Sequence, residues 1–227
     1  MKRVNSAADI FAERFAFNGM VVVDVGCGIG DLVRWLASQG SSVTGVDKPQ
    51  ILAKADSHAR IKDELYLPGS AEELPLGENS ADLLIYAASF HHVPEFRMQD
   101  ATSHCRRVLK PGGHVVFIEP VGRPGSYTEI TWLIENEAEI QRKAYETIQR
   151  IPDLGFEMIA EDFYFIERSY DDYLNLVNIF VEDDARKPEI LSSAKAITER
   201  LARNADIAFE DFRYQSIVRL NLFQKRA

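Results

Sequence analysis

One short stretch near the amino terminus constrains the fold of this chain more than any other. Residues 21–30 read Val-Val-Val-Asp-Val-Gly-Cys-Gly-Ile-Gly, and residues 43–47 read Val-Thr-Gly-Val-Asp. The two apolar runs predict buried parallel strands, joined by a glycine turn and a helix. Glycines let the backbone turn tightly and approach a ligand without a Cβ in the way. The pattern therefore favours a nucleoside cofactor at the carboxyl ends of these strands, with Asp47 placed to accept hydrogen bonds from two ribose hydroxyls.

The order of the strand and helix patterns along the chain predicts the fold class. Strand and helix patterns alternate over the first 119 residues, which is typical of a parallel sheet with helices on both faces. Beyond them come a helical run at 127–149, a strand from 156, helices at 171–181 and 188–202, and an alternating last strand. We predict an α/β fold: a doubly wound, Rossmann-like, seven-stranded, mostly parallel sheet with an antiparallel last strand and helical lid insertions.

The length of 227 residues suits one domain with a sizeable core. Within a single domain over 1–227, we predict an amino-terminal helix in 1–19 and a cofactor-binding core over 20–119. We assign 120–153 and 168–211 to a helical cap over the acceptor site. The sequence leaves the oligomeric state open, and a homodimer paired through exposed cap helices is one option.

Charge and cysteine content exclude several functions. The formal net charge is −9, and no basic run exceeds Arg106-Arg107 with Lys110, so nucleic acid is not expected as a substrate. Cys27 and Cys105 lie far apart without metal-ligand spacing, which predicts reduced thiols and no metal site. Because no signal peptide or membrane-spanning run is found, we expect a cytoplasmic protein without membrane insertion.

The glycine turn also discriminates between cofactors. A nicotinamide or flavin dinucleotide requires G-x-G-x-x-G, whereas this chain has G-x-G-x-G followed by Asp31. A carboxylate at a helix start repels a pyrophosphate docked on the helix amides. A P-loop would require Gly-Lys-Ser/Thr, which is absent. A nucleoside carrying a zwitterionic amino acid fits better, and S-adenosylmethionine has that composition.

A series of motifs at familiar distances supports this interpretation. They are Asp24-Val-Gly-Cys-Gly-Ile-Gly30, Asp47, Gly69-Ser-Ala-Glu72, Leu74-Pro75, Ala81-Asp82, Phe90-His-His92 and Arg107-Val-Leu-Lys-Pro-Gly-Gly113. Over about 20–119, the chain resembles class I S-adenosylmethionine-dependent methyltransferases, especially the methyltransferase type 11, ubiquinone/menaquinone-biosynthesis-like small-molecule group. The resemblance implies methyl transfer from S-adenosylmethionine to a small-molecule acceptor, with S-adenosylhomocysteine as the product.

The resemblance also implies which residues hold the cofactor. The methionine part would lie against Asp24 and the turn backbone, and the ribose would bind Asp47. Lys48 would flank the adenine. The turn positions are Gly26, Cys27, Gly28 and Gly30.

Around the adenine, the sequence departs from the family pattern at one position. Ala71 would offer its backbone N–H to the ring. The preceding position is Ser70, where the family usually has an aspartate that accepts from the adenine amino group. A serine hydroxyl can accept the same bond without charge, and Glu72 is the nearest carboxylate that could replace it. Ala87 or Ala88, after the fourth predicted strand, would turn a carbonyl toward the methionine ammonium.

The candidate catalytic residues follow the fourth and fifth predicted strands. His91 and His92 are candidate general bases, since an imidazole titrates near neutral pH. Glu119 could orient an imidazole or act as the base. Tyr127, Trp132 and Tyr164 are candidates for lining a partly apolar acceptor pocket.

Three rival functions remain open at this point. They are an NAD(P)-dependent oxidoreductase, a catalytically silent methyltransferase-like binding domain, and an enzyme that uses the same cofactor for a different group transfer. Asp31 argues against the first, and the intact glycine turn with Asp47 argues against the second. The acceptor and the atom that receives the methyl group do not follow from the sequence.

Overall fold

The computed structural model describes residues 1–55, 64–123, 125–181 and 184–226. Its regular elements are, in chain order, β1 (Lys2–Val4), α1 (Ala7–Ala12), β2 (Val21–Val25), α2 (Asp31–Ser38), β3 (Ser42–Asp47), α3 (Pro49–Ala55), β4 (Leu65–Pro68), β5 (Ala81–Ala87), α4 (Met98–Val108), β6 (Leu109–Pro120), α5 (Tyr127–Thr131), α6 (Ala138–Ile148), β7 (Phe156–Arg168), α7 (Tyr170–Phe180), α8 (Lys187–Asn204) and β8 (Tyr214–Lys225).

The strands form one sheet in the order β1-β7-β8-β6-β5-β2-β3-β4. Strands β2 to β6 are mutually parallel, and the strand pair at the carboxyl end of the chain is antiparallel. The chain proceeds outward from β2 to β4 and then returns to β5 on the other side. Ligands of such sheets bind at this reversal, outside the carboxyl ends of the strands. The predicted doubly wound α/β class is confirmed.

The sheet has eight strands instead of the predicted seven because β1 adds to its edge. Lys2 to Val4 pair in parallel with Tyr164 to Ile166 of β7. Helix α1 then covers only Ala7–Ala12, so the amino-terminal segment expected to be helical divides into a strand and a short helix. Three residues carry too little periodicity for a strand to be predicted from the sequence alone.

The chain forms two compact units. One comprises 1–5, 120–139 and 163–218, and the other comprises 6–119, 140–162 and 219–227. The second unit holds strands β2 to β6, with a core cluster that includes Leu84, Tyr86, Phe117 and Phe223. The first unit has its own cluster around Tyr173 and Tyr214. Since each cluster lies within one unit, each unit buries its own apolar side chains.

Two predictions about the second half of the chain are corrected. The helix expected over 127–149 is interrupted between Thr131 and Ala138, where the Asn136 side chain accepts the Ala138 backbone N–H at 3.2 Å. The last strand, predicted to alternate, is buried at all but one position from Tyr214 to Phe223. Both of its faces are therefore covered. Among the residues that the structure describes, no helix is both long and apolar enough to cross a membrane.

Candidate active site

The glycine turn lies between β2 and α2, at the reversal of strand order. Gly26 has φ +75°, and a Cβ placed there would lie 2.5 Å from the Ser89 Cβ. The Ser89 hydroxyl donates to the Val25 carbonyl oxygen at 2.6 Å. Gly30 has φ +84° and caps α2, and a Cβ there would lie 2.4 Å from the Tyr66 hydroxyl oxygen. Glycine is therefore required at Gly26 for packing and conformation, and at Gly30 for its positive φ, since the end of the Tyr66 side chain can move.

Gly28 differs from these two glycines because its surroundings are open. Its φ is +56°, and no atom of the described chain lies within 4 Å of a Cβ built on it. Its backbone N–H donates to Asp47 Oδ2 at 2.8 Å. The Lys48 N–H donates to Asp47 Oδ1 at 2.7 Å. A carboxylate offers about four acceptor positions, so Asp47 is held beside open space with capacity for ligand hydroxyls.

Asp24, in β2, is a buried acid with an unsatisfied oxygen. Its residue surface is 2% exposed, and its Oδ1 has no hydrogen-bond partner within the described chain. Burial, together with the nearby Asp47 charge, raises the pKa of Asp24 to about 7. A buried polar oxygen without a partner is costly, so the site suits a ligand that brings a cation or an N–H donor to it.

The other predicted cofactor residues follow β4 and β5. Ser70 bridges to Glu73, and Ala71 is buried within the core cluster. Glu72 is half-buried, and its carbonyl oxygen accepts from Arg97 at 3.4 Å. The Gly69 N–H donates to the Asp47 carbonyl oxygen at 3.0 Å. This contact ties the turn after β4 to the end of β3.

Cys27 contributes to the glycine turn through its backbone. Its N–H donates to the Val46 carbonyl oxygen at 3.2 Å. Burial, with the charges of Asp24 and Asp47, raises the pKa of the Cys27 thiol. The neutral thiol packs where a Cβ on Gly45 would lie 2.8 Å from its sulfur. Cys27 therefore has a packing role, since a nucleophile would require the thiolate.

The backbone after β5 holds an unusual conformation that the sequence did not reveal. Ala88 follows Ala87 at the end of the strand and has φ +53°. Its N–H donates to the Ile118 carbonyl oxygen at 2.7 Å. A left-handed alanine is uncommon and costs free energy. Such residues concentrate at functional sites, where the surrounding structure enforces them.

Immediately after this bend, His91 and Glu119 meet. Glu119 ends β6, and its Oε2 contacts His91 Nδ1 directly. Its Oε1 accepts the Phe90 N–H at 2.9 Å. Both side chains are 3% exposed. Exposed His92 lies with its ring centre 4.1 Å from that of His91. The structure thus brings the three predicted catalytic residues together.

The three residues predicted to line the acceptor pocket lie in separate segments of the unit that comprises 1–5, 120–139 and 163–218. Tyr127 is buried in α5, with its ring centre 5.7 Å from that of Tyr214. Trp132 packs where a Cβ on Gly122 would lie 2.1 Å from its ring, and its Nε1 has no partner in the described chain. Tyr164 lies on β7 opposite Lys2. The described aromatic cluster around Tyr214 does not include Tyr164.

Comparison with known proteins finds similarity to methyltransferases over part of the chain. Residues 23–117 match the family of methyltransferase domains. An uncharacterised methyltransferase of Synechocystis sp. is 29% identical over 155 residues, which cover 64% of this chain and 71% of that protein. The ubiquinone/menaquinone biosynthesis C-methyltransferase of Rubrivivax gelatinosus is 31% identical over 150 residues, covering 60% of this chain and 58% of that enzyme. The chain thus spans less than two thirds of the Rubrivivax enzyme.

The fold is also similar to that of a solved structure. A solved structure from Bacillus halodurans, assigned as a methyltransferase, superimposes with a TM-score of 0.67 at 17% identity, over 97% of this chain and 98% of that one. At this identity, the likeness concerns the fold. Residues 23–117 are thus similar to methyltransferase domains, and the fold of the chain is similar to that of the Bacillus halodurans protein.

Proposed function

We propose that this protein transfers a methyl group from S-adenosylmethionine to a small-molecule acceptor. The match of residues 23–117 to methyltransferase domains supports this choice of cofactor. The observation that carries the proposal is Asp24, whose buried Oδ1 has no hydrogen-bond partner among the described residues. The open surroundings of Gly28 support it. This arrangement fits an amino-acid cation and a ribose without phosphates. When bound, the cofactor supplies an electrophilic methyl group on a sulfonium sulfur.

The residues of the core unit would hold this cofactor in distinct ways. Asp24 and the glycine backbone would bind the methionine part, and the Ala87 carbonyl would accept from its ammonium. Asp47 would accept from the ribose hydroxyls through the lone pairs that Gly28 and Lys48 do not use. The turn after β4 would face the adenine through Ser70, the Ala71 N–H and Glu72. The Lys48 side chain, which follows β3, would also contact the adenine.

Asp31 supports this cofactor over a dinucleotide. It occupies the first turn of α2 and contacts Arg34 within the same helix. A carboxylate at this position opposes the amide dipoles that would otherwise attract a pyrophosphate. A monoadenosyl ligand without phosphates avoids that repulsion.

The His91–Glu119 pair can remove a proton from the acceptor. With Glu119 Oε2 accepting from Nδ1–H of His91, Nε2 becomes the basic nitrogen of the neutral ring. We assign His91 as the general base and Glu119 as the residue that orients it. Both are buried, so the interaction between them is weakly screened by solvent. His92 would contact the acceptor next to His91.

The small-molecule acceptor is inferred from the aromatic residues of the cap segment. Trp132 Nε1 is a buried donor without a partner in the described chain, which an acceptor oxygen could satisfy. We retain Tyr127 and Tyr164 as proposed lining residues. Ordinary packing of the cap segment accounts equally well for Tyr127, since it lies within the aromatic cluster.

The proposal is tested with His91→Ala and Glu119→Gln, after acceptors are identified by screening with a labelled methyl group. Loss of a general base lowers kcat by about 10²- to 10⁴-fold. We expect a loss of this size for His91→Ala and a smaller one for Glu119→Gln, with S-adenosylhomocysteine affinity within about threefold of wild type.

His104→Ala serves as the matched control, because His104 bonds Arg107 on α4 and has no predicted site role. Its turnover should match that of the wild type. If both His91→Ala and His92→Ala retain full turnover, the general-base assignment is wrong.

A further inference from the structure

A buried arginine lies on the strand next to the His91–Glu119 pair. The Val121 N–H donates to the Ile217 carbonyl oxygen at 2.8 Å, and the Gln224 side chain donates to the Gly112 carbonyl oxygen at 3.0 Å. These contacts show that β6 and β8 run antiparallel. Continuing the register from the first contact places Arg219 opposite Glu119. Directly opposed residues project from the same face of a sheet.

Arg219 is fixed at its stem. It is 7% exposed, and its Nε donates to Asn221 Oδ1 at 2.9 Å. Asn221 in turn donates to Glu161 Oε2 at 2.6 Å, which sets the orientation of its amide. The guanidinium carbon lies 3.4 Å from the centre of the Tyr145 ring. The Asn221 contact and the ring therefore hold the guanidinium plane in one orientation.

The two terminal nitrogens of the guanidinium differ from Nε in their hydrogen bonding. Within the described chain, its two terminal nitrogens make no hydrogen bond, and no carboxylate oxygen lies within 4 Å of them. Glu119 binds Phe90 and His91 and forms no ion pair with these nitrogens. These nitrogens are not fully enclosed by the described chain, so a ligand can reach them. Acceptor oxygens of that ligand would bond to the terminal N–H groups of Arg219.

The surrounding charges indicate what kind of partner fits. Burial lowers the pKa of Arg219, and the nearby Tyr145, Glu161 and Glu119 partly offset this by raising it. The described groups that act on this guanidinium include two carboxylates and no second cation. A singly charged carboxylate matches the planar guanidinium fork, whereas a dianionic phosphate would meet repulsion from both glutamates.

We propose that Arg219 binds a carboxylate of the acceptor, so that the substrate class is a small carboxylic acid held beside His91. This assignment rests on the proposed methyl transfer, since it places the acceptor at the same strand ends. It adds a specificity-determining residue to the site. The role of Arg219 is to bind and orient, and no proton passes through it.

The test uses protein loaded with S-adenosylhomocysteine and three probes of similar shape: benzoate, neutral benzamide and phenyl phosphate. A charge-assisted hydrogen bond contributes about 1.5–3 kcal/mol. Wild type should therefore bind benzoate about 10- to 100-fold more tightly than benzamide in calorimetry, and more tightly than phenyl phosphate. In Arg219→Met, the benzoate-to-benzamide ratio should fall to about one.

Two further variants keep the result interpretable. Arg219→Gln removes the charge but retains buried N–H donors, and it should lose the preference even if Arg219→Met does not fold. Arg213→Met removes an exposed arginine near the start of β8 and should leave the preference intact. Equal binding of benzoate and benzamide by wild type, a preference for phenyl phosphate, or a preference that persists in Arg219→Gln would overturn the proposal. Failure of wild type to bind S-adenosylhomocysteine would instead contradict the proposed function.

Discussion

Asp24 shows how a single residue couples cofactor binding to stability. Burial and the neighbouring Asp47 raise its pKa from 3.8 to about 7, so the folded protein holds a proton that the unfolded chain releases. The protonated state is stabilising at low pH, and this contribution is lost as the pH rises from about 4 to 7. Near pH 8, ionisation of the buried Asp24 lowers the free energy of unfolding by about 4 kcal/mol relative to a carboxyl group with an unperturbed pKa. A cationic ligand group would recover part of that cost.

We therefore predict opposite effects of Asp24→Asn on the apoprotein and on ligand binding. The apo variant should melt several degrees above wild type at pH 8 and close to it at about pH 3.5, below the unfolded pKa of the carboxyl group, because the amide cannot ionise. S-adenosylhomocysteine affinity should fall by about 10-fold or more. Thermal melts at both pH values and calorimetry at pH 8 measure these effects. A variant that binds the ligand as wild type does would show that Asp24 is not a cofactor residue.

Residue chemistry was predictable where it depends on local sequence. The glycines, Asp47 and the two histidines were found because turn geometry and strand ends follow from short motifs. The left-handed conformation of Ala88 and the position of Arg219 were not predicted, because both arise from contacts distant in sequence. The close approach of Ser89 to Gly26 likewise depends on the pairing of β2 with β5.

At the scale of elements, the turn between β2 and α2 combines two functions in its glycines. Gly26 and Gly30 allow the packing of Ser89 and Tyr66, whereas Gly28 faces open space. A substitution at Gly28 therefore separates folding from binding. Gly19 offers a matched control, since its φ is +81° and a Cβ there also meets no described atom within 4 Å.

Gly28→Ala and Gly19→Ala should each destabilise the protein by about 1–2 kcal/mol, the cost of a left-handed alanine. Only Gly28→Ala should weaken S-adenosylhomocysteine binding, by about 10-fold or more, because its methyl group enters the cofactor space. Urea unfolding and calorimetry distinguish the two effects. Equal ligand affinity in the two variants would contradict the assignment of Gly28 to the cofactor site.

Elements of the first half were predicted more accurately than those of the second. Apolar strands that alternate with amphipathic helices give a strong periodic signal up to β6, and this signal predicts a mostly parallel sheet. In the second half, the break between α5 and α6 depends on a local Asn136 contact. β1 depends on pairing with a strand about 160 residues away. Neither leaves a periodic signal.

At the scale of the whole molecule, the proposed cofactor and catalytic groups belong to one compact unit. The glycine turn, Asp47, His91, Glu119 and Arg219 all lie within 6–119 or 219–227. The parallel strands of this unit bring side chains from separate segments to one edge of the sheet. The central claim is that this edge binds an adenosyl sulfonium compound and no pyrophosphate.

Parallel calorimetric titrations of the wild-type protein with S-adenosylhomocysteine and with NAD⁺ test that claim most directly. We predict saturable binding of S-adenosylhomocysteine with a dissociation constant on the order of micromolar, and no heat from NAD⁺ under the same conditions. Saturable binding of NAD⁺, or the absence of binding by S-adenosylhomocysteine, would contradict the account.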